Sequence, residues 1–140
     1  MKDSGSADNK RTGYIKFDLT GITSVSSATI RLYGYLADAS TPTAISLFDV
    51  ANTTWSQSTI NFNNAPASNG SAVATKTITG FSSTAGAYYD FDVTAYIQAA
   101  ITAGKTEVSL AIKAATGSNV RVSFNTSEAA ANTPALVVTT

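Results

Sequence analysis

The chain has 140 residues, nine basic and nine acidic side chains that cancel, and neither Cys nor His. That length suits one domain with a two-layer core that needs no covalent staples, and the balanced charge argues against duplex DNA or another general polyelectrolyte as partner. Disulfides and thiolate ligands are excluded, and with the commonest general base and metal ligand missing, any catalysis would rest on carboxylates.

Residues 2–12 (KDSGSADNKRT) read as a polar loop with Asp3 and Asp8 beside Lys10 and Arg11. Residues 14–19 (YIKFDL) and 28–36 (ATIRLYGYL) alternate apolar and polar side chains with period 2, which predicts two strands joined by the turn-rich stretch 20–27 (TGITSVSS). Read as neighbours in one sheet, they bring Lys16, Arg31, Tyr33 and Tyr35 together on the face opposite the core. A third strand is predicted at 44–50 (AISLFDV), after Pro42. Residues 51–71 look irregular and contain the only Trp, Trp55, and a short extended piece at 59–62.

Residues 73–78 (VATKTI) predict a further strand, and 87–93 (AYYDFDV) another, with Tyr89, Phe91 and Val93 on one side and Tyr88, Asp90 and Asp92 on the other. The period then changes. Val93, Tyr96, Ile97, Ala100 and Ile101 recur as one face of a helix, expected over about 94–103, with Asp92 placed to cap its start and Gly104 its end. Strands at 107–114 (EVSLAIKA), 120–125 (VRVSFN) and 136–139 (LVVT) close the chain. Short strands at roughly ten-residue spacing with a single helix predict an all-β fold, an antiparallel jelly-roll β-sandwich in one domain over 1–140.

Four ordered blocks and a closing segment resemble a known family. They are Asn9-Lys10-Arg11 running into 14–19, then 25–32 (VSSATIRL), then Trp55 with 59–66 (TINFNNAP), then 89–94 (YDFDVT) with its helix and 108–112 (VSLAI). The closing segment is 124–129 (FNTSEA) with 134–138 (PALVV). Over nearly the whole chain they are similar to the DNRLRE domain, grouped with carbohydrate-binding module family 96. The resemblance implies a jelly-roll module appended to secreted polysaccharide lyases, hydrolases and surface proteins, with uronate-rich polymers such as alginate as ligands for some members. Two departures stand out: the family's first N-terminal strand is expected to be missing ahead of Lys2, and Ser127 stands where the family more often has Arg before the Glu.

An anionic polysaccharide needs cationic donors spaced along a face, because guanidinium binds carboxylate bidentately and lysine acts as a point charge. Lys2, Lys10, Arg11, Lys16, Arg31, Lys113 and Arg121 are the candidates, seven of the nine basic residues, with Tyr33 and Tyr35 as flat surfaces for sugar rings. The structural reading of the same residues stays open: solvated cations of a sandwich, Arg11 or Arg31 paired with Asp18 or Glu128, and a cross-strand tyrosine pair. Trp55 reads as a structural anchor beneath the loop at 61–66. Asp3, Asp8 and Asn9 offer hard oxygen ligands at short spacing, a candidate calcium site outside the EF-hand pattern. No nucleophile and base pair is recognisable.

Only 13% of residues are charged, while 38 are Ser or Thr, a surface that suggests an extracellular or cell-surface setting. The apolar runs are too short to cross a bilayer, so no membrane insertion is expected, and residues 1–3 begin no signal peptide. The expectation is a non-catalytic extracellular module that binds acidic polysaccharide. The alternative is a structural or adhesive surface domain or fibre subunit, its sheet completed by a strand from a neighbouring chain or domain.

Overall fold

Period-2 alternation of burial is clearest in three of the strands, Ser27–Leu36, Thr43–Asp49 and Ala87–Asp92, of the computed structural model, which describes residues 1–6 and 9–140. Among the described residues the strands are β1 (Lys2–Asp3), β2 (Lys10–Arg11), β3 (Gly13–Asp18), β4 (Ser27–Leu36) and β5 (Thr43–Asp49), followed by β6 (Asn69–Ile78) and β7 (Ala87–Asp92). After the helix α1 (Thr94–Thr102) come β8 (Glu107–Ala114), β9 (Val122–Phe124) and β10 (Ala135–Thr139). Apart from the separate β1–β2 pair, strands β3 to β10 form the two antiparallel sheets of a jelly-roll sandwich. The first runs β3-β8-β5-β6, and the second runs β10-β4-β7, with β9 pairing the far end of β4. Ile45, Leu47 and Leu110 of the first sheet and Ile30, Leu32, Leu36 and Phe91 of the second are fully buried, each contributing about 1.5–3 kcal/mol of transfer free energy.

The helix closes the core with Ile97 and Ala100. The N-cap is Val93, which supplies no side-chain bond, rather than the expected Asp92; Asp92 instead braces the entry to the helix, its Oδ1 accepting from the Thr94 hydroxyl at 2.6 Å and the Thr94 N–H at 3.0 Å, and those bonds lower its pKa below the usual carboxylate range. At the other end Gly104 adopts φ +71°. Its N–H donates to Ile101 and that of Lys105 to Ala100, the paired bonds of a Schellman cap that a left-handed glycine permits. Gly34 has a different role. It lies at an inward position of β4 where a Cβ would run into the Phe124 ring and the Ser123 carbonyl, so its bareness lets β9 dock.

Several expectations change. β3 and β4 are not neighbours but lie in opposite sheets. The link between them crosses the end of the sandwich, with Leu19 buried and Ile22 and Val25 packed on the core. Apolar faces that meet across the sandwich satisfy the same alternation as faces shared within one sheet, so period 2 alone cannot separate the two arrangements. The polar loop at 2–12 contains the short β1–β2 pair, Lys2 opposite Arg11 and Asp3 opposite Lys10. The piece at 59–62 is not extended but turned, with Ile60 N–H donating to Ser56 and Ala65 N–H to Asn61. The strand expected at 73–78 begins earlier, at Asn69, and that expected at 120–125 narrows to Val122–Phe124.

Candidate functional site

The outer face of the first sheet is covered. Residues 51–68 lie over Tyr14, Lys16, Ser109 and Lys113, held at several points. Trp55 donates its indole N–H to the buried Ser109 hydroxyl at 2.7 Å, and its ring meets Tyr14 edge-on at 5.8 Å. Tyr14 in turn donates its hydroxyl to the Pro66 carbonyl at 3.0 Å. Lys16 Nζ donates to the carbonyls of Thr53 and Trp55, both at 2.8 Å, sits 4.8 Å from the Trp55 ring centroid and lies 3.9 Å from Glu107. Lys113 donates to the Ser68 hydroxyl and stands over the Phe48 ring. These two lysines are clamps. Both are directed at neighbouring groups of the chain, Lys16 through two carbonyls and Lys113 through Ser68, and Trp55 is the anchor its sequence context suggested.

The outer face of the second sheet is open. Arg31, Tyr33 and Tyr35 share it with Tyr88 and Asp90 of β7, since Tyr33 pairs with Tyr88 and Arg31 with Asp90. The Tyr33 and Tyr88 rings meet edge-on at 5.3 Å. Arg31 lies 4.7 Å over the Tyr88 ring and binds Asp90 through Nε at 2.8 Å. Its partner is thus Asp90, rather than the Asp18 or Glu128 weighed from the sequence. Tyr35 is opposite Ser123 of β9; two residues earlier Arg121, exposed between the buried Val120 and Val122, points to the same side.

At that end the β1–β2 pair adds more cations. Met1 runs beside β9: its amino group donates to the Val122 carbonyl, and the Val122 N–H returns a bond of 2.7 Å. Burial, then repulsion from Arg11 and Arg121, lowers the pKa of that amino group to about 6, partly offset by Asp38. Lys2 stands opposite Arg11 across the β1–β2 pair and shares Asp38 with the backbone of Arg121, which gathers the three residues at one corner. Arg11 and Arg121 are both exposed, and neither has an ion-pair partner among the described residues. Asp38 organises the corner by accepting the Arg121 N–H at 2.7 Å and the Lys2 ammonium at 3.1 Å, which together hold its carboxyl below the usual range.

The model of the family described as carbohydrate-binding module family 96 matches residues 1–140. The chain belongs to this family. A protein named gellan lyase from Bacillus sp is 32% identical over 142 residues, covering 99% of this chain but 6% of the relative. The module thus spans a small fraction of the length of the curated relative it matches, and family 96 is a family of non-catalytic binding modules.

Within this family 96 module, the nine binding candidates divide. Lys2, Arg11 and Arg121 gather at the β1–β2 corner, and Arg31, Tyr33 and Tyr35 continue along the open face. Lys10 is tied to the buried Asp3 at 3.3 Å. Lys16 and Lys113 belong to the covered face on the other side of the sandwich, which separates Lys16 from Arg31 and the tyrosines it was expected to join.

Of the calcium candidates, Asp3 accepts from the Gly5 N–H at 2.9 Å as well as from Lys10, and these, the Gly5 bond foremost, lower its pKa. Asn9 is exposed, and Asp8 lies outside the described residues. Among the described residues no three His, Cys, Asp or Glu side chains gather. Sequence reasoning missed Tyr88, the ring at the centre of the open face, and Asp38. Tyr88 was placed on the outward side of its strand, but only the β4–β7 register puts it beside Tyr33.

Proposed function

We propose that this module binds an acidic, uronate-containing polysaccharide outside the cell, with Arg11 and Arg121 as the principal carboxylate ligands. Lys2 supports them, and Tyr35, Tyr33, Tyr88 and Arg31 extend the track along the open sheet. The observation that carries the reading is that Arg11, opposite Lys2 on the β1–β2 pair, and Arg121, whose N–H shares Asp38 with Lys2, are both exposed and without ion-pair partners among the described residues. A planar guanidinium offers two parallel N–H donors to a carboxylate, and tyrosine rings offer apolar area at low entropic cost. The likeness to a gellan lyase supports an acidic polymer as ligand and a secreted parent.

Affinity electrophoresis against acidic and neutral polysaccharides tests this, with the double variant Arg11→Ala/Arg121→Ala alongside. Retardation by an acidic polymer such as gellan is expected, weakened by added salt and by on the order of a hundredfold or more in the double variant, each charge-assisted bond contributing about 1.5–3 kcal/mol. Equal retardation of wild type and variant would remove the corner from the site.

The second reading, a structural or fibre subunit that pairs strands with a neighbour, is favoured by one contrast between sheet edges. The edge strand β6 carries Lys76 opposite the buried Ile45, a charge on the inward side that discourages further pairing. Edge strand β10 (ALVVT) has no charge, and its Val137 is half exposed. Sedimentation velocity over a range of concentrations distinguishes the two: growth into larger species supports strand pairing, and a constant monomer excludes it.

A further inference from the structure

Phe62 is 80% exposed, the most exposed large apolar side chain among the described residues. It is not on a loose tip. The Asn61 N–H donates to Asn64 Oδ1 at 2.7 Å, the Asn63 N–H to Asn61 Oδ1 at 2.9 Å, and Asn64 Nδ2 to the Thr59 carbonyl at 2.9 Å. Backbone bonds from Thr59 and Ile60 to Ser56 and from Ala65 to Asn61 close the same turns. The base of the loop is fastened to the first sheet by Trp55 and Lys16. A well-braced loop therefore holds a bare ring in water, an arrangement that folding alone does not favour.

The surroundings indicate what the ring would meet. Residues 56–64 (SQSTINFNN) are hydroxyl and amide side chains apart from Ile60 and Phe62, with no charge. A protein partner buries a contiguous patch of roughly 20–30 residues a side, which one ring does not announce. A sugar needs less: one aromatic face for its C–H surface and a rim of amides and hydroxyls for its hydroxyl groups.

The loop is also connected to the open face. Gln57 donates to Glu128 at 3.3 Å and accepts from Ser127 at 3.4 Å. The segment following β9 is in turn bound to that face, Asn125 N–H donating to the Tyr33 carbonyl and the Tyr88 hydroxyl to the Thr133 carbonyl.

We infer that Phe62 is a second sugar contact, stacking on the uncharged face of a pyranose ring beyond the stretch held by the arginines, with the neighbouring Asn63 amide on its polar rim. This rests on the polysaccharide-binding reading above, and it assigns the loop the part of recognition that is independent of charge.

The test uses two probes, gellan and carboxyl-reduced gellan, in which the uronates have become neutral sugars. Phe62→Ala is expected to keep the wild-type melting temperature and to lose about fivefold in affinity for both probes at every salt concentration, with Phe62→Trp restoring it. Arg11→Ala/Arg121→Ala is expected to lose affinity for gellan alone. If Phe62→Ala binds both probes as wild type does while the arginine variant loses gellan, the inference about Phe62 is overturned and the acidic-polymer reading stands. If Phe62→Ala loses both and the arginine variant loses neither, the stacking contact stands and the arginine corner fails. If the wild type binds neither probe, both are overturned.

Discussion

The two outer faces of the sandwich carry similar residues and do different things with them. On the first sheet, Lys16 and Lys113 donate to the loop at 51–68 and lie over the Trp55 and Phe48 rings. On the second, Arg31 lies over Tyr88 in the open, and Arg121 projects from the strand edge. A cation beside an aromatic ring is thus no mark of a binding site by itself. What separates the faces is whether a segment of the chain already occupies the place a ligand would take.

The largest effect expected from breaking the covered face is at Trp55. Trp55→Ala removes the bond to Ser109, the contact with Tyr14 and the ring beneath Lys16. Large-to-small truncation of such a ring costs about 3 kcal/mol, read as a lowered midpoint of urea unfolding. Polymer affinity of the folded variant through the arginine corner should be unchanged; a selective loss there would show that the two faces are coupled.

Lys16→Met keeps the stem and removes the three donors, leaving the Thr53 and Trp55 carbonyls without their partner. The cost should be about 1–2 kcal/mol of stability, again with the part of gellan retardation that depends on Arg11 and Arg121 unaltered. A Lys16 variant of normal stability that has lost binding would return Lys16 to the site.

Acid should loosen the other region. Asp3 and Asp38, which hold the β1–β2 corner, have pKa values below the usual carboxylate range, chiefly through backbone N–H bonds from Gly5 and Arg121. A carboxylate with a depressed folded pKa contributes stability that is complete above its unfolded value, about 3.9, and is lost as pH falls through the folded value. Unfolding midpoints should therefore fall from pH 4 towards pH 2, and Asp38→Asn should flatten part of that decline. A decline of the same steepness in that variant would show that Asp38 contributes nothing to it.

Much of this fold was legible in the chain because strands such as 28–36 and 87–92 bury alternate residues. The run of 107–114 was placed to the residue, and the helix to within one, since Asp92 binds its first residue, Thr94, and Gly104 closes its end. The arrangement of strands was less legible. Nothing in the alternation of YIKFDL and ATIRLYGYL distinguishes strands side by side from strands face to face, and that ambiguity put Lys16 with Arg31. The loop at 59–62 was misjudged for a different reason: its shape is set by Asn61 and Asn64 bonding back to the main chain, a local competition that apolar spacing does not report. The same competition makes Phe62 a braced ring rather than a buried one.

The smallest effect distinguishes an open cation from a committed one within the second face itself. Arg31 is held by Asp90 in an exposed pair, their side chains 43% and 51% accessible, and pairs of that kind contribute about 0.2–1 kcal/mol. Asp90→Asn should therefore cost little stability while removing a negative charge from the track and releasing the Arg31 Nε donor. Affinity for an acidic polymer should rise about threefold, an increase that salt diminishes. Arg31→Ala in the same background should cancel the gain. A gain that survives loss of Arg31 would assign it to removal of the Asp90 charge alone, and no gain at all would confine the acidic ligand to the corner of Arg11 and Arg121.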